Sequence, residues 1–406
     1  MRRYESYKDS GVEWLGEVPS HWEISSLGKI LLSVSEKNRP DLPLLSITRE
    51  LGVIERDTED QDSNHNFIPD DLSNYKILKK GQFGMNKMKA WQGSYGVSNF
   101  TGIVSPAYYI FDFIKSINPQ FFHWAIRSKI YVSFFGSASD GVRIGQWDLS
   151  KSRMKSIPFI IPSNDEQQKI AQFLDDKTAK IDQAVDLAEK QIALLKEHKQ
   201  ILIQNAVTRG LNPDVPLKDS GVEWIGQVPE HWEVKKIKAF AKINNGLDYK
   251  TVIAKEGYPV YGSGGQFAYA NTYLYDGEAV LLGRKGTIDK PLYINDKFWT
   301  VDTMFYSVCN NKVSTKFFYY CCCSIIPFQY YSTSTALPSM TQSDILNHKV
   351  TFPLLKEQYQ IADYLDIQTA KIDQAITLKT AHIEKLKEYK SVLINDVVTG
   401  KVRVSV

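Results

Sequence analysis

Residues 8–23 read KDSGVEWLGEVPSHWE, and residues 218–233 read KDSGVEWIGQVPEHWE. Thirteen of the sixteen positions are identical, at an offset of 210. A second matching pair lies further along. Glu166 to Ala184 reads EQQKIAQFLDDKTAKIDQA, and Glu357 to Ala375 reads EQYQIADYLDIQTAKIDQA, at an offset of 191. A chain that repeats itself in this way is built from one plan used twice. The offsets differ by 19, so the interior of the second copy is shorter by that number of residues. The interiors also differ in kind: MNKMKAWQGSYGVSNFTG in the first stands against LLGRKGTIDKPLYINDKF in the second. The ends of each copy form a constant frame, and the frame carries two unlike inserts.

The later pair opens two long helices. Pro162 stops the preceding strand, and Ser163 with Glu166 makes a capping box. Neither Pro nor Gly then occurs before Gly210, and the second segment runs from about Lys356 to Gly400 under the same condition. Apolar positions recur in heptads. In the first helix the rows are Leu174, Ile181, Ala188, Leu195, Leu202 and Thr178, Val185, Ile192, Lys199, Ala206. In the second they are Leu365, Ile372, Lys379, Leu386, Leu393 and Thr369, Ile376, Ile383, Lys390, Val397. A period of 3.5 held over five heptads predicts a coiled-coil seam in place of a helix lying on its own domain. Lys199 and Lys390 match under the repeat, which predicts that the two helices pack on each other about a pseudo-two-fold axis. At 1.5 Å per residue each helix is about 60 Å long.

Short strands fill the interiors. Ile77–Leu78, Ile103–Val104, Tyr108 to Phe111 and Ile157 to Ile161 are strand-like in the first copy. Ala279 to Leu282, Pro291 to Ile294 and Met304 to Val308 are strand-like in the second. Short helices are expected over Pro119 to Tyr131 and Thr315 to Cys323, and turns at Tyr261-Gly-Ser-Gly-Gly and Gly283-Arg-Lys-Gly. Leu211 to Pro216 is the linker. The expected boundaries are 1–162, 163–210 for the first helix, 211–217, 218–353, and 354–406 for the second helix and tail.

Composition bounds the partners. With 406 residues, 43% hydrophobic and 23% charged, the chain reads as an ordinary globular protein of at least two domains. No apolar run reaches the roughly 18 residues that would span a bilayer. The first residues carry no apolar signal core, so a cytoplasmic location is expected. The net charge of +3 is uninformative, but its distribution is not. Asp41 to Pro69 holds seven acids against two arginines, whereas Asp70 to Lys155 holds twelve Lys and Arg against five Asp. A basic block that also carries Trp91, Tyr95, Tyr108, Tyr109, Trp124 and Trp147 suits a phosphate-rich partner, although a merely solvated basic face has the same balance.

Catalytic motifs are missing. Gly283-Arg284-Lys285-Gly286-Thr287 is too short for a phosphate loop, and no helical pattern follows Gly262 to Gly265 as a dinucleotide site requires. The seven histidines form no HExxH or Cys/His cluster, and an Asn-Pro-Pro-aromatic methylation motif is absent. Neither a metal nor a cofactor is expected. The four cysteines, with Cys321, Cys322 and Cys323 adjacent, fit neither a disulfide framework nor a zinc spacing, and read as small buried apolar side chains.

This plan resembles the specificity subunit of type I restriction–modification systems, over nearly the whole chain. The resemblance rests on the Trp-x-Gly-x-x-Pro-x-x-Trp pieces (Trp14 to Trp22 and Trp224 to Trp232), the Pro-x-x-x-Glu-Gln starts (Pro162 to Gln167 and Pro353 to Gln358) and the Ala-Lys-Ile-Asp helices. Residues 261–265 and 283–287 add to it in the second copy; the first copy departs from the Gly-Ser-Gly-Gly pattern. It implies an α+β chain with two mixed α/β target-recognition domains, separated by two long antiparallel coiled-coil helices in a pseudo-two-fold repeat. It implies double-stranded DNA as ligand, with each domain reading half of a split site. The helices would dock two methyltransferase subunits, which hold the methyl donor, and a motor-nuclease subunit would join through the complex. The chain itself is then not an enzyme.

DNA reading needs cations for phosphates and polar side chains for base edges. The candidates in the first copy are Lys87, Lys89, Trp91, Gln92, Tyr95, Arg143, Gln146 and Arg153, with Lys87 to Trp91 alternating as a strand would display them. In the second copy they are Tyr261, Ser263, Gln266, Arg284, Lys285, Thr335 and Ser339; Arg284 is suited to a bidentate contact with guanine. Trp14, Trp22, Trp224 and Trp232 read as frame packing. Three rivals remain at this stage: a specificity chain of another phage-defence complex, a self-contained nuclease with an unmarked acidic site, and a scaffold that binds no DNA.

Overall fold

The computed structural model describes residues 2–57, 68–143, 146–324, 326 and 338–404. Glu59, Asp60 and Asp62 of the acidic stretch, and Thr335, lie outside the described residues. The chain forms two compact units: one is Met1–Leu187 with His382–Val406, the other Ala188–Ala381. Each unit therefore takes the start of one long helix and the end of the other. The helices run over Asn164–Arg209 and Leu355–Val398, as the absence of Pro and Gly predicts.

In the first unit, the hairpin of Tyr7–Asp9 and Glu17–Pro19 comes first. Strand Glu23–Ser26 then pairs antiparallel with Pro158–Ile161 and brings the chain to the long helix. Between these ends lies an antiparallel sheet in the order Leu31–Val34, Tyr109–Phe113, Phe83–Met85, Tyr95–Val97. The helix expected over Pro119 to Tyr131 is two helices, Pro119–Ile126 and Lys129–Ser137, because Ser128 is extended and starts the second. One core unites Trp22, Phe83, Phe111, Phe122, Phe135 and Phe159 with Leu174 and Ile181 of the first long helix and Leu393 and Val397 of the second.

The second unit repeats the ends and changes the middle. Leu217–Asp219 pairs with Gln227–Pro229, and Glu233–Lys236 with Lys349–Phe352. The interior is now a seven-stranded sheet, ordered Ala241–Asn245, Met304–Cys309, Tyr275–Gly283, Leu292–Thr300, Tyr258–Gly262, Gly265–Ala270, Ile253–Ala254. Its one parallel pairing joins Tyr258–Gly262 to Leu292–Thr300. Helix Thr315–Ser324 carries the cysteine triplet. Cys321 and Cys322 are buried, Cys323 and Cys309 are half-buried, and all four are free thiols. Burial pushes the Cys309 and Cys323 thiols up to about 12 and about 11, which suits packing and not reactivity.

The repeated motifs are the clasps of this frame. Glu166 closes the capping box with Ser163 and also receives His21 Nε2 at 3.0 Å and the Trp22 indole at 3.4 Å. Glu357 receives His231 at 3.0 Å and Trp232 at 3.4 Å in the same way. Each neighbouring glutamine is fully buried. Gln167 Oε1 accepts the backbone N–H of Asn118, the cap of helix Pro119–Ile126. Gln358 Oε1 accepts that of Ser314, the residue before helix Thr315–Ser324. About two turns on, Asp175 receives Gln120 and the Trp124 indole, both at 2.8 Å, while its repeat counterpart Asp366 receives Tyr320 at 2.7 Å and pairs with Lys316. Trp22 and Trp232 are buried frame residues, as expected. Trp14 and Trp224 are half exposed, stacked on Phe134 and on His348.

Within each unit the long helices run antiparallel. In the second, Lys199 bonds Asp373 and Lys379 bonds Gln191, so one index falls as the other rises. In the first, Lys390 bonds Asp182, whereas Gly400, after the end of one helix, and Glu166, at the start of the other, both abut Trp22. Every residue of the four heptad rows is buried or half-buried. Gly210 and Gly400 follow the helix ends in the left-handed conformation, φ +76° and +75°, which suits a C-terminal cap.

Candidate nucleic-acid interface

In the first unit Lys87, Lys89, Trp91 and Gln92 lie between two sheet strands, and not on a strand. Strand Phe83–Met85 ends before Lys87. Asn86 Oδ1 accepts the Met88 N–H, the chain turns, and Ala90–Gln92 forms one turn of 3-10 helix closed by left-handed Gly93. The expected alternation of Lys87 to Trp91 is thereby corrected: the asparagine side chain competes for the backbone and makes a turn. Lys89 is exposed, Lys87 and Gln92 are half-buried, and Lys87 pairs with Asp148 at 3.0 Å. Trp91 packs on Trp147 with centroids 5.0 Å apart, and its indole N–H has no hydrogen-bond partner among the described residues.

Trp147 and Asp148 belong to the hairpin Ser139–Arg143 with Gln146–Leu149, which carries two further candidates. Arg143 and Gln146 pair at its tip; their side chains lie outside the described residues. Arg153, on helix Lys151–Ser156, pairs with Asp140 of the same hairpin. Tyr95 is different. It has no exposed surface and packs between Phe83 and Phe135, so it is a core residue with nothing to present to a ligand. Burial holds its phenol well above the ordinary range.

Sequence reasoning missed the groups that fix this region. Arg127 donates to the carbonyls of Tyr95, Arg49 and Glu50 at 2.7–2.8 Å. His123 Nδ1 accepts the Val97 N–H at 3.2 Å; burial, then the Arg127 charge, push it down to about 4. Lys37, Lys76 and Lys151 were also passed over, because they come from three separate stretches of sequence.

In the second unit the structure brings most candidates together. Tyr261 lies on strand Tyr258–Gly262; Ser263 is in the turn that follows, and exposed Gln266 is on the next strand. The loop after Tyr275–Gly283 comes to the same place. Ser263 Oγ stands 3.3 Å from where a Cβ on Gly286 would lie. A third segment closes the group: Gly286 N–H donates to Pro338, Met340 N–H to Arg284, and Lys285 bridges to Ser339. Gly283 itself admits no side chain, since an added Cβ would strike the Thr287 carbonyl. Arg284 donates to the Asp302 carbonyl at 3.3 Å and lies over Phe305, while Lys285 is exposed. Five candidates from three segments thus form one polar surface; a sixth, Gln266, is on the adjoining strand. Phe267, next to it, is exposed and was not foreseen.

Among the described residues no group of three or more His, Cys, Asp or Glu could hold a metal ion. Among the same residues no helix is long and apolar enough to cross a membrane.

Comparison with known proteins agrees with this geometry. The family model described as type I restriction modification DNA specificity domain matches twice, over residues 87–196 and 229–388, and the chain belongs to that family. A Methanocaldococcus jannaschii protein named as the specificity subunit of the type I restriction enzyme MjaX is 23% identical over 96% of each chain. Two solved structures share the fold. One comes from work on complex assembly and conformational transition of the type I R-M system; it has TM-score 0.73 at 12% identity, over 95% of this chain and 99% of that one. The other is the HsdS subunit of Thermoanaerobacter tengcongensis, with TM-score 0.57 at 14% identity, over 95% and 98%.

Proposed function

We propose that the chain is the DNA-binding specificity subunit of a type I restriction–modification complex and reads a bipartite site. Residues 1–162 and 218–353 are the two recognition domains, and each reads one half. The observation that carries this is the pairing of identical clasps with unlike interiors: His21, Trp22 and Glu166 repeat as His231, Trp232 and Glu357, around a four-stranded sheet in one unit and a seven-stranded sheet in the other. A constant frame with exchangeable readers is what two unrelated half-sites require.

Lys87, Lys89, Trp91, Gln92, Arg143, Gln146 and Arg153 contact one half-site. Tyr261, Ser263, Gln266, Arg284, Lys285, Thr335 and Ser339 contact the other, while Tyr95 is a core residue and takes no part in the contact. The chain works in the cytoplasm and is not itself a catalyst. Two methyltransferase subunits dock on the long helices, and a motor-nuclease subunit joins through them. In the second unit Leu194, Ile201 and Leu378 stand exposed on these helices, which supports a docking role. The test exchanges residues 41–158 for those of another family member and maps the methylated sequence in cells. One half-site should change. A change in both halves, or in neither, would sink the reading.

A further inference from the structure

The sheet of the first unit gathers cations at one end. Its register sets Ile110 opposite Val34 and Tyr109 opposite Met85. Two strands therefore finish where the central one begins, and the residues that follow or precede them meet there: Lys37, Lys87 and the pair Tyr108–Tyr109. Lys76 joins them by bridging to Lys37 and by donating from Nζ to the Tyr108 carbonyl at 2.7 Å. Lys151 arrives from the short helix before the last strand; its Nζ donates to Ser33 Oγ at 3.0 Å and stands 5.4 Å above the Tyr109 ring.

Four lysines thus meet from four separate stretches of sequence. Among the described residues Lys37, Lys76 and Lys151 pair with no carboxylate, and only Lys87 does, with Asp148. They also feel one another: burial first, then the charges of Lys37, Lys151 and Lys87, lower the Lys76 ammonium below its ordinary range. Cations held close without counter-charge gain from a polyanion that bridges them. The 3-10 turn with Lys89 and Trp91 leads on from Lys87, so the patch is continuous with the candidate base-reading segment.

We propose that Lys37, Lys76, Lys87 and Lys151 form a phosphate clamp, which grips the backbone of duplex DNA and holds the first recognition domain in register. The proposal rests on the function proposed above and adds to it which residues supply sequence-independent affinity. Lys37 and Lys151 are exposed, so their replacement leaves the core intact.

The test is the salt dependence of binding by the full-length chain, with the subunits that co-purify with it, to random-sequence duplex DNA. The slope of log affinity against log salt should become shallower by about two in Lys37→Gln/Lys151→Gln, about one per lost phosphate contact. Lys37→Arg/Lys151→Arg should keep the slope, and the methylated sequence should not change. A glutamine variant with the parental slope and affinity overturns the clamp and leaves the specificity reading standing. A parent chain without salt-dependent DNA affinity overturns both.

Discussion

Lys390 Nζ lies 2.7 and 2.6 Å from the two carboxylate oxygens of Asp182, on facing turns of the long helices. The repeat offset of 191 turns this pair into Asp373 and Lys199, which are 2.7 and 2.6 Å apart. One ion pair is thus made twice, once in each unit, with the helices exchanging the acidic and basic roles.

These pairs set the register more than they add stability. The lysines are about a quarter exposed and the aspartates about half, so each pair contributes about 1 kcal/mol or less. Asp182→Ala and Lys390→Ala should each destabilise by no more than about 1 kcal/mol in denaturant unfolding. The double variant should cost less than the sum of the two singles. Strict additivity would show that the pair does not interact in solution.

The clasps should cost more. Gln358→Leu leaves the buried N–H of Ser314 without an acceptor, which costs about 1–3 kcal/mol. Trp22→Phe keeps a buried ring but loses the donor to Glu166, at about 1 kcal/mol plus the volume lost. Thermal unfolding of the two variants checks both, and a neutral Gln358→Leu would refute the assigned role of the glutamine.

Acid should weaken the first unit through His123. Its ordinary value is 6.5, and in the fold it is pushed down to about 4. Between these values the unfolded chain binds the proton and the folded one does not. The contribution is therefore whole above 6.5 and lost as pH falls towards about 4, to the extent of about 3 kcal/mol. Comparison of unfolding free energies for the parent and His123→Gln across that window reads the effect. An identical pH slope in both would rule it out. Glu166 acts in the same direction at lower pH. Burial raises its carboxyl, but the hydrogen bonds from His21, Ser163 and Trp22 outweigh that and hold it below the ordinary range.

Tyr95→Phe should be neutral or stabilising by about 1 kcal/mol, because the buried hydroxyl has no hydrogen-bond partner among the described residues. DNA affinity should be unchanged. A loss of affinity in a variant of full stability would restore Tyr95 to the contact surface.

Arg284→Ala and Lys285→Ala should separate two kinds of contact. The first should relax the methylated sequence at a position of one half-site, with about 1–3 kcal/mol of lost discrimination. The second should weaken binding to all sequences alike. Sequencing of methylated sites together with binding measurements distinguishes them, and the same outcome for both variants would count against the assignment.

The frame was legible in the sequence and the interface much less so. Repetition exposed the clasps, and heptads exposed both helices to within a residue or two at their starts. The turn at Lys87 was not legible, since alternating lysines look like a strand unless the preceding asparagine is seen to bond the backbone. Tyr95 was misjudged because an aromatic residue in a basic stretch has the same appearance in a core as on a surface. The lysine cluster had no linear signal at all; only strand register brings residues 37, 76, 87 and 151 to one place. In the second unit the Gly-Ser-Gly-Gly and Gly-Arg-Lys-Gly turns were visible, but their meeting depends on a third segment at Pro338–Met340.

Gln167 and Gln358 grip their recognition domains through main-chain atoms, an amide at the start of a helix, and ask nothing of the side chain there. This main-chain bond is the same in both units, whereas Asp175 and Asp366 meet different side chains, Gln120 and Trp124 in one and Lys316 and Tyr320 in the other. The mount thus combines a fixed grip on backbone with side-chain contacts that differ from one interior to the next, so a new interior needs a helix start at the same spot and its own partner for the aspartate.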